Sequence, residues 1–336
     1  MATEPLIFNG EEIPPGTRAS IRIPVARRYT AGDVSLPVSV VHGRRPGPRL
    51  FVSAAIHGDE INGVEIIRRL LKKPLLKRLR GALIAVPIVN IYGFVAQTRY
   101  LPDRRDLNRC FPGSAKGSLA ARLAHTFMNE VVKKATHGID LHTGSLHRSN
   151  LPQLRVTLNS EANEALAMSF GAPVILDAEL RDGSLRHAVN QMGIPIIVYE
   201  AGEALRFDEV AIRAGLRGII SAMRHLEMLP PLKSKARRVD PFVAHGSHWV
   251  RAPESGILAT SLKLGDRIEK GAHLGVISDP LAEEETPILS PRAGVLIGRQ
   301  NLPLVNEGDA LFHIAVFERL DTAAEEVDFF QDLIDP

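Results

Sequence analysis

The chain of 336 residues carries 41 lysines and arginines against 38 aspartates and glutamates, with 45% hydrophobic residues and 5% aromatic ones. That length accommodates two domains, or one large domain with an appendage. The mild positive balance, without a long basic run and with one Trp and four Tyr, argues against a nucleic-acid-binding arm or a base-stacking platform.

The start, "MATEPLIFNGEEIPPG", lacks a basic stretch followed by an apolar core, and reads as no signal peptide. No apolar segment approaches membrane-spanning length. Cys110 is the single cysteine, which excludes a disulfide framework and a thiolate zinc cluster. The expectation is a soluble cytoplasmic protein.

From about 20 to 230, strand-like and helix-like segments alternate. Apolar runs predict strands over 20–25, 36–43, 49–56, 82–90, 138–142, 153–158 and 194–200, several continuous enough to be buried on both faces. Apolar periodicity predicts helices over about 60–72, 118–135, 161–170, 184–192 and 208–228. Such alternation implies an α/β layered domain with a largely parallel or mixed sheet. At "LPPLKSKARRVDP" (229–241) two prolines and a basic cluster mark a boundary, so domains are expected over 1–235 and 236–336. Beyond it come short β-like pieces and an acidic tail, "DTAAEEVDFFQDLIDP".

The second region echoes itself: "RAPESGILATSLKLGDRIEKGAHLGVIS" (251–278) is followed by the similar "LSPRAGVLIGRQNLPLVNEGDALFHIA" (289–315). The pattern resembles the barrel-sandwich (hammerhead-like) fold of biotinyl and lipoyl carrier domains. The intervening hairpin, "DPLAEEETP" (279–287), has no lysine to carry a prosthetic group. A structural cap or an oligomer contact is the expected role.

Chemistry concentrates at strand ends. In "FVSAAIHGDEINGVEII" (51–67), His57 and Glu60 follow an apolar run at a spacing of three, which at a helix start points both the same way. In "GIDLHTG" (138–144) a short apolar strand delivers His142. Ligands of open α/β sheets bind beyond the carboxyl ends of strands. Two imidazoles and a carboxylate make a three-ligand zinc site with a fourth position for water. "IPIIVYEAG" (194–202) ends another buried strand at Glu200, a carboxylate placed to act as general base. Asp59 reads as a helix cap.

His57-Gly58-Asp59-Glu60, "DLNRCFPG" (106–113), "DLHTG" (140–144) and "YEAG" (199–202), in that order, resemble the succinylglutamate desuccinylase/aspartoacylase family, which has the zinc carboxypeptidase fold. The resemblance covers about 20–230, and the β region resembles the C-terminal piece of many members. It implies a mixed sheet flanked by helices plus a small all-β domain, and one zinc ion per chain on His57, Glu60 and His142. Glu200 would activate the water, and Asn108 and Arg109 would hold a substrate carboxylate. Arg99 would stabilise the oxyanion, with Arg105 as the alternative. Asp140 would orient an imidazole from behind.

The implied activity is hydrolysis of the amide of an N-acyl amino acid or a similar small carboxylate. The alternatives are carboxypeptidase-type trimming of a peptide C-terminus, or a non-catalytic metal- or ligand-binding protein. No nucleic acid or membrane partner is expected, and the resemblance suggests a dimer. Taken singly, each residue has a plainer role, as a loop histidine, a first-turn carboxylate or a core histidine. His147, Arg148 and Arg155, which follow the His142 loop, read either as substrate contacts or as part of a solvated stretch and carry no assigned role, and His245 and His248 read as a surface turn.

Overall fold

The computed structural model describes residues 4–232, 241–281, 283–317 and 330. The expected boundary at 235/236, the basic run across it and nearly all of the acidic tail lie outside the described residues.

The chain begins with a small hairpin, β1 (Leu6–Phe8) and β2 (Glu11–Ile13). Then follow β3 (Arg18–Arg27), β4 (Asp33–His42), β5 (Arg45–Ala54), α1 (Asn62–Leu71), β6 (Arg80–Val86), α2 (Ile91–Ala96) and α3 (Leu119–Glu130). Next come β7 (His137–Gly144), β8 (Arg148–Val156), α4 (Glu161–Phe170), β9 (Val174–Asp177), α5 (Leu185–Gln191), β10 (Ile196–Glu203) and α6 (Glu209–His225). From Phe242 to Val316 the regular elements among the described residues are strands: β11 (Phe242–Ala244), β12 (Gly246–Arg251), β13 (Gly256–Ala259), β14 (Arg267–Ile268), β15 (His273–Ser278), β16 (Glu285–Leu289), β17 (Gly294–Gln300), β18 (Leu304–Val305) and β19 (Ala310–Val316).

One mixed sheet runs β12-β19-β17-β8-β10-β7-β5-β6-β4-β3. At its centre β10, β7, β5 and β6 are parallel, and their apolar runs are covered on both faces, as parallel strands require. One face packs on α1, α4 and α6 through residues such as Ile66, Phe170, Tyr199 and Ile219. The other packs on α3 and α5 through Phe51, Phe111, Phe127 and Val189. Helix α1 buries Gly63, Ile66, Ile67 and Leu70, the spacing of one helical face.

The later strands join this sheet rather than hanging from it. β17 pairs antiparallel with β8, Gly298 opposite Asn150 and Gln300 opposite Arg148. A second sheet, β16-β15-β13-β18, has its own core, with Leu258, Ile277 and Ile288 packed with Leu296, Phe312 and Ile314. The expected 279–287 hairpin overlaps the β15–β16 pairing, since Glu285, Thr286 and Pro287 are already in β16.

Several elements differ from expectation. β5 ends at Ala54, because Ala55 turns the chain with a positive φ of 52°. β6 ends at Val86 before Pro87, which has no N–H for a ladder bond. Asn90 then caps the unexpected α2, its Oδ1 accepting the Gly93 N–H at 2.8 Å. β8 begins five residues before the expected strand, which moves Arg148 and Asn150 from loop to sheet.

Candidate active site

The site forms where the parallel strands end, and register assembles it. Ser53 of β5 pairs with Asp140 of β7, and His142 of β7 pairs with Glu200 of β10. Asp140 and His142, two apart on a strand, share one face of the sheet. From the loop after β5 come His57 and Glu60. They sit in a tight turn ahead of α1, with the Glu60 N–H on His57 O at 3.2 Å. The helix begins at Asn62 with no side-chain cap, so Asp59 does not serve as its cap. It is buried instead, and its Oδ1 has no hydrogen-bond partner among the described residues. Gly58 is required here: a Cβ would lie 1.9 Å from the Gly93 carbonyl carbon.

Glu60 is the hub. Its Oε1 is 2.7 Å from His57 Nδ1, and its Oε2 is 2.8 Å from His142 Nδ1 and 3.1 Å from the Thr143 amide. The far nitrogens are also held, His142 Nε2 by Asp140 Oδ2 at 2.8 Å and His57 Nε2 by Asp106 Oδ1 at 3.2 Å. Ser53 Oγ donates to the remaining oxygen of Asp140 at 2.7 Å. Burial would raise the Glu60 pKa, but the two histidines outweigh it and hold the carboxyl well below its usual range. Burial opposes charge on both imidazoles, yet the facing carboxylates carry His57 above its ordinary value and His142 well above it.

Ligand atoms of His57, Glu60 and His142 all lie within 4.8 Å of one another, and all three residues are buried. Both imidazoles turn Nδ1 toward the same carboxylate and give Nε2 to a carboxylate behind. That donor set fits a divalent ion of the zinc type, with outer carboxylates fixing ring orientation.

The three residues line a cavity of about 890 Å³ together with Arg99, Asn108, Arg109 and Glu200. Arg99 donates to Asp106 Oδ2 at 2.9 and 3.2 Å and lies 3.5 Å from Glu60. Arg105 is exposed and 3.9 Å from Asp103, outside the cavity lining. Asn108 spends its Oδ1 on the Leu185 N–H at the start of α5, at 2.9 Å. Arg109 is exposed, with NH1 on the Asn108 carbonyl. Glu200 Oε2 accepts from Asn150 Nδ2 at 2.9 Å, and Oε1 lies 2.9 Å from Arg155 Nε.

Sequence reasoning missed Asp106, although it opens the "DLNR" motif. It also missed Asn150 as a cavity residue, because the start of β8 read as loop, and it left Arg148 and Arg155, which line the cavity, undecided between substrate contact and solvated loop. The far wall comes from the later strands: His245, Ser247, Trp249 and Arg251 line the same cavity. Trp249 stacks on His313 at 4.5 Å and 7°, and the Arg148 guanidinium lies 5.3 Å from its ring. The Trp249–His313 stack follows from register, since the two are cross-strand partners in β12 and β19.

The parallel centre of the mixed sheet thus brings histidines and carboxylates together at its carboxyl edge. The chain belongs to the succinylglutamate desuccinylase/aspartoacylase family, whose catalytic-domain model matches residues 46–226. It is 28% identical over 314 residues to the N-alpha-acetyl-L-2,4-diaminobutyric acid deacetylase of Halomonas elongata, covering 88% of this chain and 90% of that protein. It is 25% identical over 189 residues to the succinylglutamate desuccinylase of Pseudomonas aeruginosa, covering 53% of this chain and 54% of that one. A succinylglutamate desuccinylase/aspartoacylase of Rhodobacter sphaeroides superposes with a TM-score of 0.79 at 25% identity, covering 90% of this chain and 96% of that one. Among the described residues no helix is long and apolar enough to cross a membrane.

Proposed function

We propose that this protein is a zinc-dependent deacylase that hydrolyses the amide bond of an N-acyl amino acid or a similar small carboxylate. The observation that carries the reading is the buried His57–Glu60–His142 cluster opening into the same cavity as Glu200. The named relatives, a deacetylase and a desuccinylase, support the same bond type.

His57, Glu60 and His142 would hold one zinc ion per chain. When bound, the ion supplies Lewis acidity and lowers the pKa of a water. The protein's own groups divide the remaining work. Glu200 takes the proton of the attacking water and returns it to the departing amine nitrogen. Arg99, held beside Glu60 by Asp106, turns its charge toward the oxygen that becomes negative. Arg109, with the Nδ2 of Asn108, receives the substrate carboxylate, a task suited to a planar guanidinium.

The residues after 235 would form a barrel-sandwich-like domain whose first long strand walls the cavity. Glu200→Gln tests the chemistry: turnover of an N-acyl amino acid should fall by roughly 100-fold to 10,000-fold while zinc stays bound. Wild-type rates in that variant would sink the mechanism.

A further inference from the structure

Glu200 is held from two sides in unlike ways. Asn150 Nδ2 donates to Oε2 at 2.9 Å, a directed hydrogen bond. Arg155 Nε lies equally close to Oε1, at 2.9 Å, yet its N–H is not aligned on that oxygen, and the buried atom makes no hydrogen bond among the described residues. The contact is one of charge alone, without the fork geometry that makes guanidinium–carboxylate pairs strong.

The other groups around Arg155 do not compete for it. Arg186 is anchored elsewhere: NH1 donates to Thr157 Oγ1 and Ala178 O, and NH2 donates to Glu179 O. Burial, with Arg155 nearby, pushes its pKa down to about 10. His313 is kept neutral by burial and by Arg155 itself, its pKa pushed down to about 3. Among the described residues Glu200 is the only carboxylate in ion-pair contact with Arg155. Both side chains line the cavity where substrate would enter.

We propose that Arg155 exchanges partners: it pairs with Glu200 in the free enzyme and with an anionic group of the ligand once the cavity is filled. The exchange leaves Glu200 placed by Asn150 but opens Oε1, the oxygen that Arg155 had engaged. The base is thereby made available by the substrate that needs it. This deepens the reading of Glu200 as the base and makes Arg155 a positioning residue that also selects for anionic ligands.

The test is calorimetric titration of succinate into the full-length, zinc-loaded protein, in a double-mutant cycle over Arg155 and Glu200. Glu200→Gln removes the competing carboxylate, so succinate should bind about tenfold tighter than to wild type, near 1.4 kcal/mol. In an Arg155→Gln background the same substitution should change affinity less than about twofold. Arg155→Met, which keeps the bulk of the stem, serves as a second removal of the charge if Arg155→Gln does not fold. An equal gain in both backgrounds would mean a general charge effect and overturn the proposal, as would no gain at all. Failure of wild type and Glu200→Gln to bind succinate overturns it too. Failure of the base reading shows elsewhere, as undiminished turnover by Glu200→Gln, which this binding assay does not read.

Discussion

Acid should weaken this protein through His313. His313 is buried in β19 under the Trp249 ring, with Nε2 2.8 Å from Ser247 Oγ and no hydrogen-bond partner on Nδ1 among the described residues. Burial first, then Arg155 and His248, pushes its pKa down to about 3. With a depressed pKa the folded chain binds fewer protons than the unfolded chain between roughly pH 6.5 and 3. The contribution is therefore fully present above pH 6.5 and is lost as pH falls through that window. The slope is about 1.4 kcal/mol per pH unit, or roughly 2 kcal/mol between pH 6.5 and 5. His313→Phe keeps a ring against Trp249 but cannot take a proton. Urea denaturation of both proteins across that range, in the same metal state, isolates the slope, since the lost Ser247 bond is a constant offset. Wild type should lose stability faster by about the stated amount. Parallel curves would refute the reasoning.

Asp140→Asn removes the negative charge and leaves one acceptor oxygen where two now serve His142 Nε2 and Ser53 Oγ. Zinc affinity, measured against a competing chelator, should fall about 10-fold to 100-fold; unchanged affinity would mean that Asp140 does not orient the ring. Gly58→Ala places a methyl 1.9 Å from the Gly93 backbone, and denaturation should show a loss of about 2 kcal/mol or more. A change within about 0.5 kcal/mol would show that α2 can retreat freely.

The parts legible in the sequence are those where one stretch of chain decides the outcome. The run 161–170 coincides with α4, and the apolar strands lie within a few residues of their observed positions. His57, Glu60 and His142 could be paired because each stands where an apolar run stops, and strand ends of one sheet share an edge. His57 and Glu60 do meet at their i, i+3 spacing, but a turn rather than a helix brings them together.

What stayed hidden depends on pairing between distant strands. Nothing local in "HRSNLPQLR" signals that Asn150 and Arg155 flank Glu200; that follows from the β8–β10 register. Nor does "GSHWVR" signal a cavity wall, which exists only because β17 pairs with β8 and carries the later strands beside the site. The β1–β2 hairpin did have a signal, the Asn9-Gly10 pair between its strands.

Metal content by elemental analysis tests the central claim most directly, on wild type and His142→Ala purified without added metal. Wild type should hold about one zinc per chain and the variant should retain none, because residues from two distant stretches complete a single three-ligand site. No metal in either protein, even after zinc is supplied, would contradict it.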